Sequence, residues 1–451
     1  MLPKNQSQDP GDLFRSRLEQ IINQDHPLIK LARSMDWEGF NRELGELYCP
    51  DNGAPGLPTR LMAGMHYLKY AFDESDESVV ERWIENPYWQ YFCGFEYFQH
   101  EFPLHPTSLV KWRQRVGESG VEKLLSETLE TAKRIKALKS EDATIVINDT
   151  TVQEKAVAFP TDSKLYHTMR EKLVEAAETR SVQLRQTYRR KSKEALYRQS
   201  QARRSRKPEQ ARRWTRKLKT WLGRVMRDIR RKIESPDGKL NHLLTLANRL
   251  MSQTRESKDK LYSIHAPEVE CIAKGKAHKQ YEFGCKTSVV SALKNNWILG
   301  VKSFHGNPYD GDTLSPAIKQ AQRLSGLRIT DVYTDKGYRG RRRTIPNQTQ
   351  HISGERSIKT MTRAELKRFK RRNAIEPIAG HLKSDNRLDR NYLHGEEGDK
   401  INAILAGCGY NIRKLLRAFF LSLVFRVIQT LNFLLGACSF LPWNKIIPRH
   451  A

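Results

Sequence analysis

The pattern of apolar and polar positions predicts helices through residues 1–140. In LPTRLMAGMHYLKYAF (57–72) the apolar residues recur three and four positions apart, as on one face of an amphipathic helix. ESVVERWIENPYWQYFCG (77–94) continues in the same style. We therefore expect an all-helical N-terminal region.

A basic helix is predicted in HPTSLVKWRQRV, where Thr107 or Ser108 can cap the first turn. A glycine-containing turn then leads into a longer helix. The segment is either a helix-turn-helix-like unit that presents cations to DNA or an ordinary helical bundle with a solvated basic face. The cations concerned are Lys111, Arg113 and Arg115.

The apolar period changes at residues 144–152, TIVINDTTV, where a β-branched run predicts a buried strand with Asp149 near its C-terminal end. Residues 164–260 return to a helical pattern. Two strands follow, YEFGCKTSVVSAL and NNWILGVKSFHG, joined by a turn at 294–296. The order of elements then predicts a mixed α/β sheet with a helical insertion after its first strand.

The last part of the sheet region alternates between helix and strand. Ser315 is expected to cap a helix with Pro316 at its first position. LRITDVYTDKGYRG predicts a strand followed by a turn, which places Asp335 just past the strand end. AELKRFKRRNAIEPIAGHLKSDNRL predicts the next helical region.

The charge of the chain points to a polyanionic partner. Its 451 residues include 79 Lys and Arg against 51 Asp and Glu, a formal net charge of +28 with a pI near 9.9. Such an excess repels itself unless a polyanion neutralises it, so nucleic acid is the leading partner and an anionic membrane surface the weaker one.

The basic charge is concentrated in the long helical region. Residues 180–232 hold 21 Lys or Arg and three acids, with tryptophans and tyrosines interleaved. This block either lies along DNA phosphates or forms a solvated helical hairpin. Four of its cations are predicted DNA contacts: Arg212, Arg213, Arg216 and Lys217.

Cysteine spacing and hydropathy favour a reduced, cytoplasmic chain. The six cysteines form no CxxC pair and no zinc-finger spacing, so we expect no structural metal. The N-terminus lacks a signal-peptide core. The apolar stretch from Leu415 to Cys438 is interrupted by Arg417 and Arg426, so we predict a buried or partner-packing helix there, with no membrane span.

Acids at strand ends in so basic a chain suggest metal-assisted chemistry on DNA. Two Mg²⁺ ions roughly 3.5–4 Å apart can activate an attacking oxygen and stabilise a leaving one. Mg²⁺ needs only a few carboxylate ligands. Asp149 and Asp335 suit this role, although strand-end aspartates often only cap loops.

Glu376 is the third predicted ligand, flanked by predicted phosphate-binding cations Arg372 and Lys383. On an ideal helix these three residues fall within roughly a 60° sector. Pro377 disturbs that geometry, because the residue before a proline is pushed away from helical dihedrals. We therefore expect Glu376 at a helix start or kink, directed towards Asp149 and Asp335.

These residues together resemble the DDE transposases of bacterial insertion sequences, in the broad group around insertion sequences four and five, and its five-like branch. IVINDTTV and VYTDKGYRG match the surroundings of the first and second catalytic aspartates. The third element is the signature Tyr-x2-Arg-x3-Glu-x6-Lys, present here as Phe369-x2-Arg372-x3-Glu376-x6-Lys383. Phenylalanine in place of tyrosine puts any role of the hydroxyl in doubt.

The resemblance implies an RNase H-like catalytic domain in which Asp149, Asp335 and Glu376 bind two Mg²⁺, with Mn²⁺ as a substitute. It implies domains at 1–140 (helical, binding DNA ends), 141–410 (catalytic, with the insertion at about 164–262) and 411–451 (apolar helix and tail). The implied partner is double-stranded DNA, as transposon ends and as target, and a homodimer or larger assembly on that DNA is implied too. Lys336 could contact DNA, and His305, Asp310 and His381 could line the site, or belong to a polar loop and a helix surface.

Three functions remain open from the sequence. The first is an active transposase that cleaves the ends of its element and joins them to target DNA. The second is a catalytically silent, transposase-derived DNA-binding protein. The third is a related RNase H-like metal-dependent nuclease.

Overall fold

The computed structural model describes residues 16–48, 56–273, 279–340, 348–355 and 360–434. The N-terminal part is helical, as predicted. Its helices are α1 (Leu18–Ile21), α2 (Pro27–Ser34), α3 (Trp37–Gly45), α4 (Thr59–Ala71), α5 (Asp76–Glu85), α6 (Pro87–Phe92) and α7 (Pro106–Arg134).

Helix α4 lies at the centre of this region and is buried on every side, from Leu61 to Ala71. The amphipathic pattern predicted for it is therefore wrong, because its polar positions also face the core. His66 is 0% exposed and Lys69 5% exposed. These polar side chains need partners inside the protein, and the partners come from α5 and α7.

Helix α7 differs in detail from the prediction. Its first turn is capped by His105, whose ring accepts from the Thr107 N–H, with Pro106 at the first helical position. Neither Thr107 nor Ser108 is the cap. The predicted glycine turn is present at Gly117, whose φ of 60° interrupts the helix. That dihedral lies in the left-handed region that glycine adopts easily.

A six-stranded mixed sheet follows. Its strands are β1 (Ile145–Glu154), β2 (Glu270–Ala273), β3 (Tyr281–Ala292), β4 (Ile298–Phe304), β5 (Asp331–Thr334) and β6 (Thr349–Ile352). The order is β2-β3-β1-β5-β6, with β4 also paired to β3. β3 runs antiparallel to β1, β2 and β4, whereas β1, β5 and β6 run parallel.

The predicted hairpin between β3 and β4 is confirmed. The turn at 294–296 includes Asn296 with a φ of 57°, and the Ala292 N–H donates to the Trp297 carbonyl. Asparagine tolerates this left-handed conformation better than most residues do. The mixed α/β sheet expected from the sequence is therefore present.

Four helices lie between β1 and β2 in the chain: α8 (Asp162–Glu178), α9 (Arg189–Arg204), α10 (Pro208–Lys232) and α11 (Gly238–Ser252). They share a hydrophobic cluster of their own, which includes Leu173, Leu222 and Leu250. On α10 the apolar residues are buried and the arginines lie on the opposite, exposed face. These helices thus bury one side and present cations on the other.

The remaining helices cover the sheet: α12 (Asp310–Ser325), α13 (Arg363–Arg372), α14 (Ile375–Ser384) and α15 (Gly395–Leu434). Helix α12 begins at Asp310 and contains Pro316 in its interior, so the predicted start at Ser315 is wrong. α15 runs through residue 410, where the sequence predicted a domain boundary.

One continuous hydrophobic core joins the N-terminal helices, the sheet and α15. α15 packs against α4, α7 and β4. At the crossing with α4, a Cβ on Gly409 would lie 2.4 Å from the Tyr70 carbonyl oxygen, so only glycine permits the close approach.

Within the described residues, no helix is long and apolar enough to cross a membrane. The predicted apolar segment extends to Cys438, and its last residues lie outside the described part. Among the described residues, Cys93, Cys271, Cys285 and Cys408 are free thiols. Cys49, like Cys438, lies outside the described residues.

Candidate active site

Asp149 lies in the middle of the ten-residue strand β1, opposite Val289 of β3. The pairing of β1 with β5 ends two residues earlier, at Ile147. Asp149 therefore lies just beyond the end of the parallel pairing between β1 and β5, although β1 itself continues to Glu154. Its Oδ1 accepts the Thr150 N–H at 2.8 Å, and its side chain is 26% exposed.

Asp335 follows the last residue of β5, as predicted. Its Oδ1 accepts the Gly337 N–H at 2.8 Å and so caps the short 3₁₀ helix Lys336–Tyr338. A Cβ on Gly337 would lie 3.0 Å from Asp335 Oδ1 and 3.2 Å from Asp310 Oδ2. Gly337 thus leaves room for two carboxylates to approach the same backbone.

Tyr338 marks the place where three acids converge. Its ring is 3% exposed, and its hydroxyl accepts from Asn148 Nδ2 at 2.9 Å. Burial, followed by the negative charges of Asp149, Asp310 and Asp335, raises the pKa of Tyr338 well above its ordinary value. The hydroxyl therefore stays protonated beneath the three carboxylates.

Asp310 is a member of this group, which the sequence suggested only as a possibility. Its Oδ1 accepts from Thr150 Oγ1 at 2.9 Å and from Lys286 Nζ at 3.0 Å. Lys286 also donates to the Pro308 carbonyl at 2.6 Å, which holds the loop before α12. The sequence does not indicate Thr150 and Lys286, because no local spacing links them to Asp310.

Glu376 is exposed in the first turn of α14, as expected from Pro377. Pro377 has no N–H to donate to the Asn373 carbonyl, which accepts from the Glu376 N–H at 3.2 Å instead. α13 therefore ends at Arg372 and α14 begins at Ile375, so the prediction that Arg372 and Glu376 share a face of one ideal helix is wrong. α14 packs against β1, the strand of Asp149.

Arg372, the last residue of α13, lies close to the carboxylate of Asp149. Its Nη2 lies 3.8 Å from Asp149 Oδ2, its side chain is 11% exposed, and its Nε has no hydrogen-bond partner among the described residues. Phe369, one turn earlier, contacts Tyr333 edge-on with ring centroids 5.0 Å apart. Since Tyr333 belongs to β5, an aromatic ring anchors this helix beside Asp335 without any hydroxyl.

The other predicted cations have different surroundings. Lys336 is exposed beside Asp335. Lys383 lies 3.7 Å from Glu282 Oε1. His381 pairs with Asp385 at 2.9 Å and lines a basic groove with Lys370, Lys414 and other residues. The structure gives His381 no contact with the three convergent acids.

Arg113 is buried, so the prediction that it contacts DNA is wrong. Its side chain is 3% exposed, and both terminal nitrogens donate to Asp76, at 2.8 Å and 2.6 Å. Lys69 completes this buried network at 2.7 Å from Asp76. By contrast Lys111 and Arg115 are exposed on the same helix.

Helix α10 presents its predicted contacts outward. Arg212, Arg213 and Arg216 are exposed, and Lys217 Nζ lies 4.2 Å from the centroid of the Trp214 ring. A groove of ≈ 930 Å³ between α8, α9 and α10 is lined by six cations: Arg203, Arg206, Lys207, Arg212, Arg216 and Lys219.

Comparisons with known proteins identify the family of this chain. The family model described as "Transposase DDE domain" matches residues 251–412, and that described as "Transposase domain (DUF772)" matches residues 16–115. The chain belongs to the DDE transposase family. The DDE domain is RNase H-like, and the family acts on DNA with divalent metal ions. The finer assignment to the insertion-sequence four and five group stays a prediction.

The matched part of this DDE transposase includes Asp310, Asp335 and Glu376, whereas Asp149 lies between the two matches. An uncharacterized protein, ORF8 in the nfe locus of Rhizobium meliloti, is 47% identical over 198 residues, which are 44% of this chain and 95% of that protein. No solved structure matches the transposase.

Proposed function

We propose that this transposase binds the terminal inverted repeats of a bacterial insertion sequence, cleaves the DNA at both ends and joins the freed 3′-hydroxyls to target DNA. The observation that carries the proposal is the convergence of Asp149 and Asp335 around Tyr338, with Arg372 reaching Asp149. Such a protein would work at the bacterial nucleoid, in the cytoplasm.

The residues present suit hard divalent cations. Asp149, Asp335 and Glu376 offer only carboxylate oxygens, the ligands that Mg²⁺ and Mn²⁺ prefer. All three side chains are at least partly exposed, so DNA can approach them. When bound there, two such ions would activate the attacking oxygen and stabilise the leaving one.

The chain's own groups would prepare both displacements. In the first, a water oxygen forms a bond to phosphorus while the bond to the 3′-oxygen of the transposon end breaks. In the second, that 3′-oxygen forms a bond to a target phosphorus while the bond from this phosphorus to the target strand's own 3′-oxygen breaks, which leaves a 3′-hydroxyl on the target. Arg372, whose Nε lacks a partner among the described residues, has donors for a phosphate oxygen. Lys336, exposed beside Asp335, and Lys383 on α14 would add positive charge for further phosphates.

DNA recognition would come from surfaces away from the acids. We propose that Lys111 and Arg115 of the N-terminal region contact transposon ends. The cluster of cations on α10 and in its groove would bind phosphates through charge, independent of sequence. On this proposal 1–140 binds DNA ends, 141–410 is catalytic, about 164–262 is an insertion, and 411–451 supports assembly into a dimer or larger complex on DNA.

The test is an incubation of purified protein with Mg²⁺ and DNA carrying its terminal repeats, beside Asp149→Ala and Glu376→Ala variants. We expect end cleavage and strand joining that both variants lose. Binding without cleavage in any metal would identify a silent DNA-binding protein. Cleavage without joining or end preference would identify a nuclease.

A further inference from the structure

A second group of metal-ligating side chains lies apart from the convergent acids. Cys285 is on β3, His305 follows the end of β4, and Asp399 is on the first turns of α15. One ligand atom from each lies within 4.8 Å of the other two. Cys285 is 0% and Asp399 3% exposed, so the group is shielded from bulk water.

The distance between His305 and Asp399 favours a shared cation over a hydrogen bond. His305 Nε2 lies 3.6 Å from Asp399 Oδ2. That is too long for a hydrogen bond. It is close to the separation of about 3.4 Å expected for two ligands of one tetrahedral zinc ion with bonds of about 2.0–2.2 Å. Both ring nitrogens of His305 are buried and unpartnered within the described residues.

The other side of the imidazole faces a carboxylate. His305 Nδ1 lies 3.8 Å from Glu270 Oε1, and Glu270 Oε2 is buried without a partner among the described residues. Metal-bound histidines commonly donate their second ring N–H to a carboxylate, which fixes the tautomer that leaves the first nitrogen free for the metal. At 3.8 Å the two atoms are not hydrogen-bonded, so the Glu270 side chain on β2 would have to move closer to the ring to take this role.

The charges around the group also suit a divalent cation. Lys155 Nζ lies 2.7 Å from Asp399 Oδ1 and 2.8 Å from Glu268 Oε1. These two carboxylates share one ammonium group, and Glu270 adds a third carboxylate beside His305, which leaves a surplus of negative charge in a largely buried place. Lys155 occupies Oδ1 of Asp399, so Oδ2 is the oxygen on the His305 side.

We propose that Cys285, His305 and Asp399 bind a zinc ion, with Glu270 holding the histidine. A sulfur ligand selects a borderline-soft cation such as Zn²⁺ over Mg²⁺. Cys285 binds as the thiolate, and its proton passes to water; Gln153 Nε2 already donates to its sulfur at 3.6 Å. The ion would tie β3, β4 and α15 together and fix the loop that leads from His305 to Asp310.

This site differs from the expectation of no structural metal. That expectation was based on local cysteine and histidine spacing. Here the ligands come from distant parts of the chain and meet only in the folded sheet. The proposal is independent of the proposed transposition, since none of its residues is among the three predicted Mg²⁺ ligands.

The test is the zinc content of the full chain, purified without an affinity tag and measured by elemental mass spectrometry. We expect one zinc per chain, lost in Cys285→Ser and kept in the matched control Cys271→Ser, a free thiol on β2. Asp149→Ala should keep its zinc as well, which separates this site from the predicted magnesium site. Glu270→Gln should weaken zinc binding about 10–100-fold.

Cobalt substitution covers the case in which Cys285→Ser fails to fold. Wild-type protein stripped of metal and loaded with Co²⁺ should show the visible absorption of tetrahedral cobalt and a thiolate-to-cobalt charge-transfer band. Wild-type zinc content no higher than that of Cys285→Ser, or cobalt without the thiolate band, would overturn the proposal.

Discussion

Arg113 and Arg115 lie two residues apart on α7, and the sequence predicts that both contact DNA. Comparing them tests whether the buried arginine stabilises the fold while the exposed one is free to bind DNA. The perturbation is truncation of each to alanine. Arg113 is held by two hydrogen bonds to Asp76, whereas Arg115 is exposed with its guanidinium 4.6 Å from the centroid of the Tyr48 ring. The two variants should therefore differ in stability.

The magnitude follows from what each truncation leaves behind. Arg113→Ala leaves Asp76, whose side chain is 16% exposed, with Lys69 as its remaining cation, and removes the donor to His66 Nε2. Breaking a buried ion pair costs about 3–5 kcal/mol. Arg115→Ala removes one surface cation–π contact, which contributes about 0.5–1 kcal/mol.

The assay is urea unfolding followed by tryptophan fluorescence, since Trp83 and Trp112 are buried among these helices. DNA binding is measured in parallel by fluorescence anisotropy over a range of salt concentrations. We expect Arg113→Ala to be destabilised while its folded fraction keeps the salt dependence of binding. An Arg113→Ala variant as stable as wild type, with a shallower salt dependence, would refute the structural role of Arg113.

Three further predictions concern pH, metal and salt. Burial and, next, the charge of Arg113 lower the pKa of His66 to about 3. Because this histidine takes up its proton near pH 6.5 in the unfolded chain, the free energy of unfolding should fall as the pH drops from 6.5 towards 3. Unfolding followed by circular dichroism should show a smaller fall for His66→Gln. Asp310→Asn keeps an oxygen that accepts from Thr150 but removes the negative charge that faces Lys286. It should raise the Mg²⁺ needed for end cleavage about 10–100-fold in a metal titration, whereas Asp312→Asn should not. Equal requirements in the two variants would contradict a role of Asp310 at the acidic site. Replacing Arg212, Arg213 or Arg216 of α10 by alanine should make the plot of log binding constant for DNA against log salt concentration shallower by about 0.9 for each cation removed. An unchanged slope would exclude these three DNA contacts.

Much of the fold follows from local sequence pattern. The β-branched run around Asp149 forms a strand, and the asparagines at 295–296 turn the hairpin between β3 and β4. Pro377 marks the break between α13 and α14, because a proline has no N–H for the helix ladder. Each of these depends on residues within a few positions, so the sequence predicts them directly.

The failures concern partners far apart in sequence. Arg113 carries the same charge as Arg115, and only the position of Asp76 decides that it is buried. Asp310 lies near Asp335 because the start of α12 and the turn after β5 come together beside β1 in the folded protein. Cys285, His305 and Asp399 likewise have no periodic spacing. Tertiary packing brings these groups together, and the local sequence pattern around each residue does not predict which distant residues it will contact.

The central claim is that Asp149, Asp335 and Glu376 bind the metal ions that act on DNA. Its most direct test is replacement of each by cysteine, followed by end cleavage in Mg²⁺ and in Mn²⁺. A thiolate binds Mn²⁺ better than it binds the harder Mg²⁺. We expect all three cysteine variants to be inactive in Mg²⁺ and partly restored by Mn²⁺, while the matching alanine variants stay inactive in both metals. Equal activity of the cysteine variants and wild type in Mg²⁺, or equal loss in both metals, would contradict the claim.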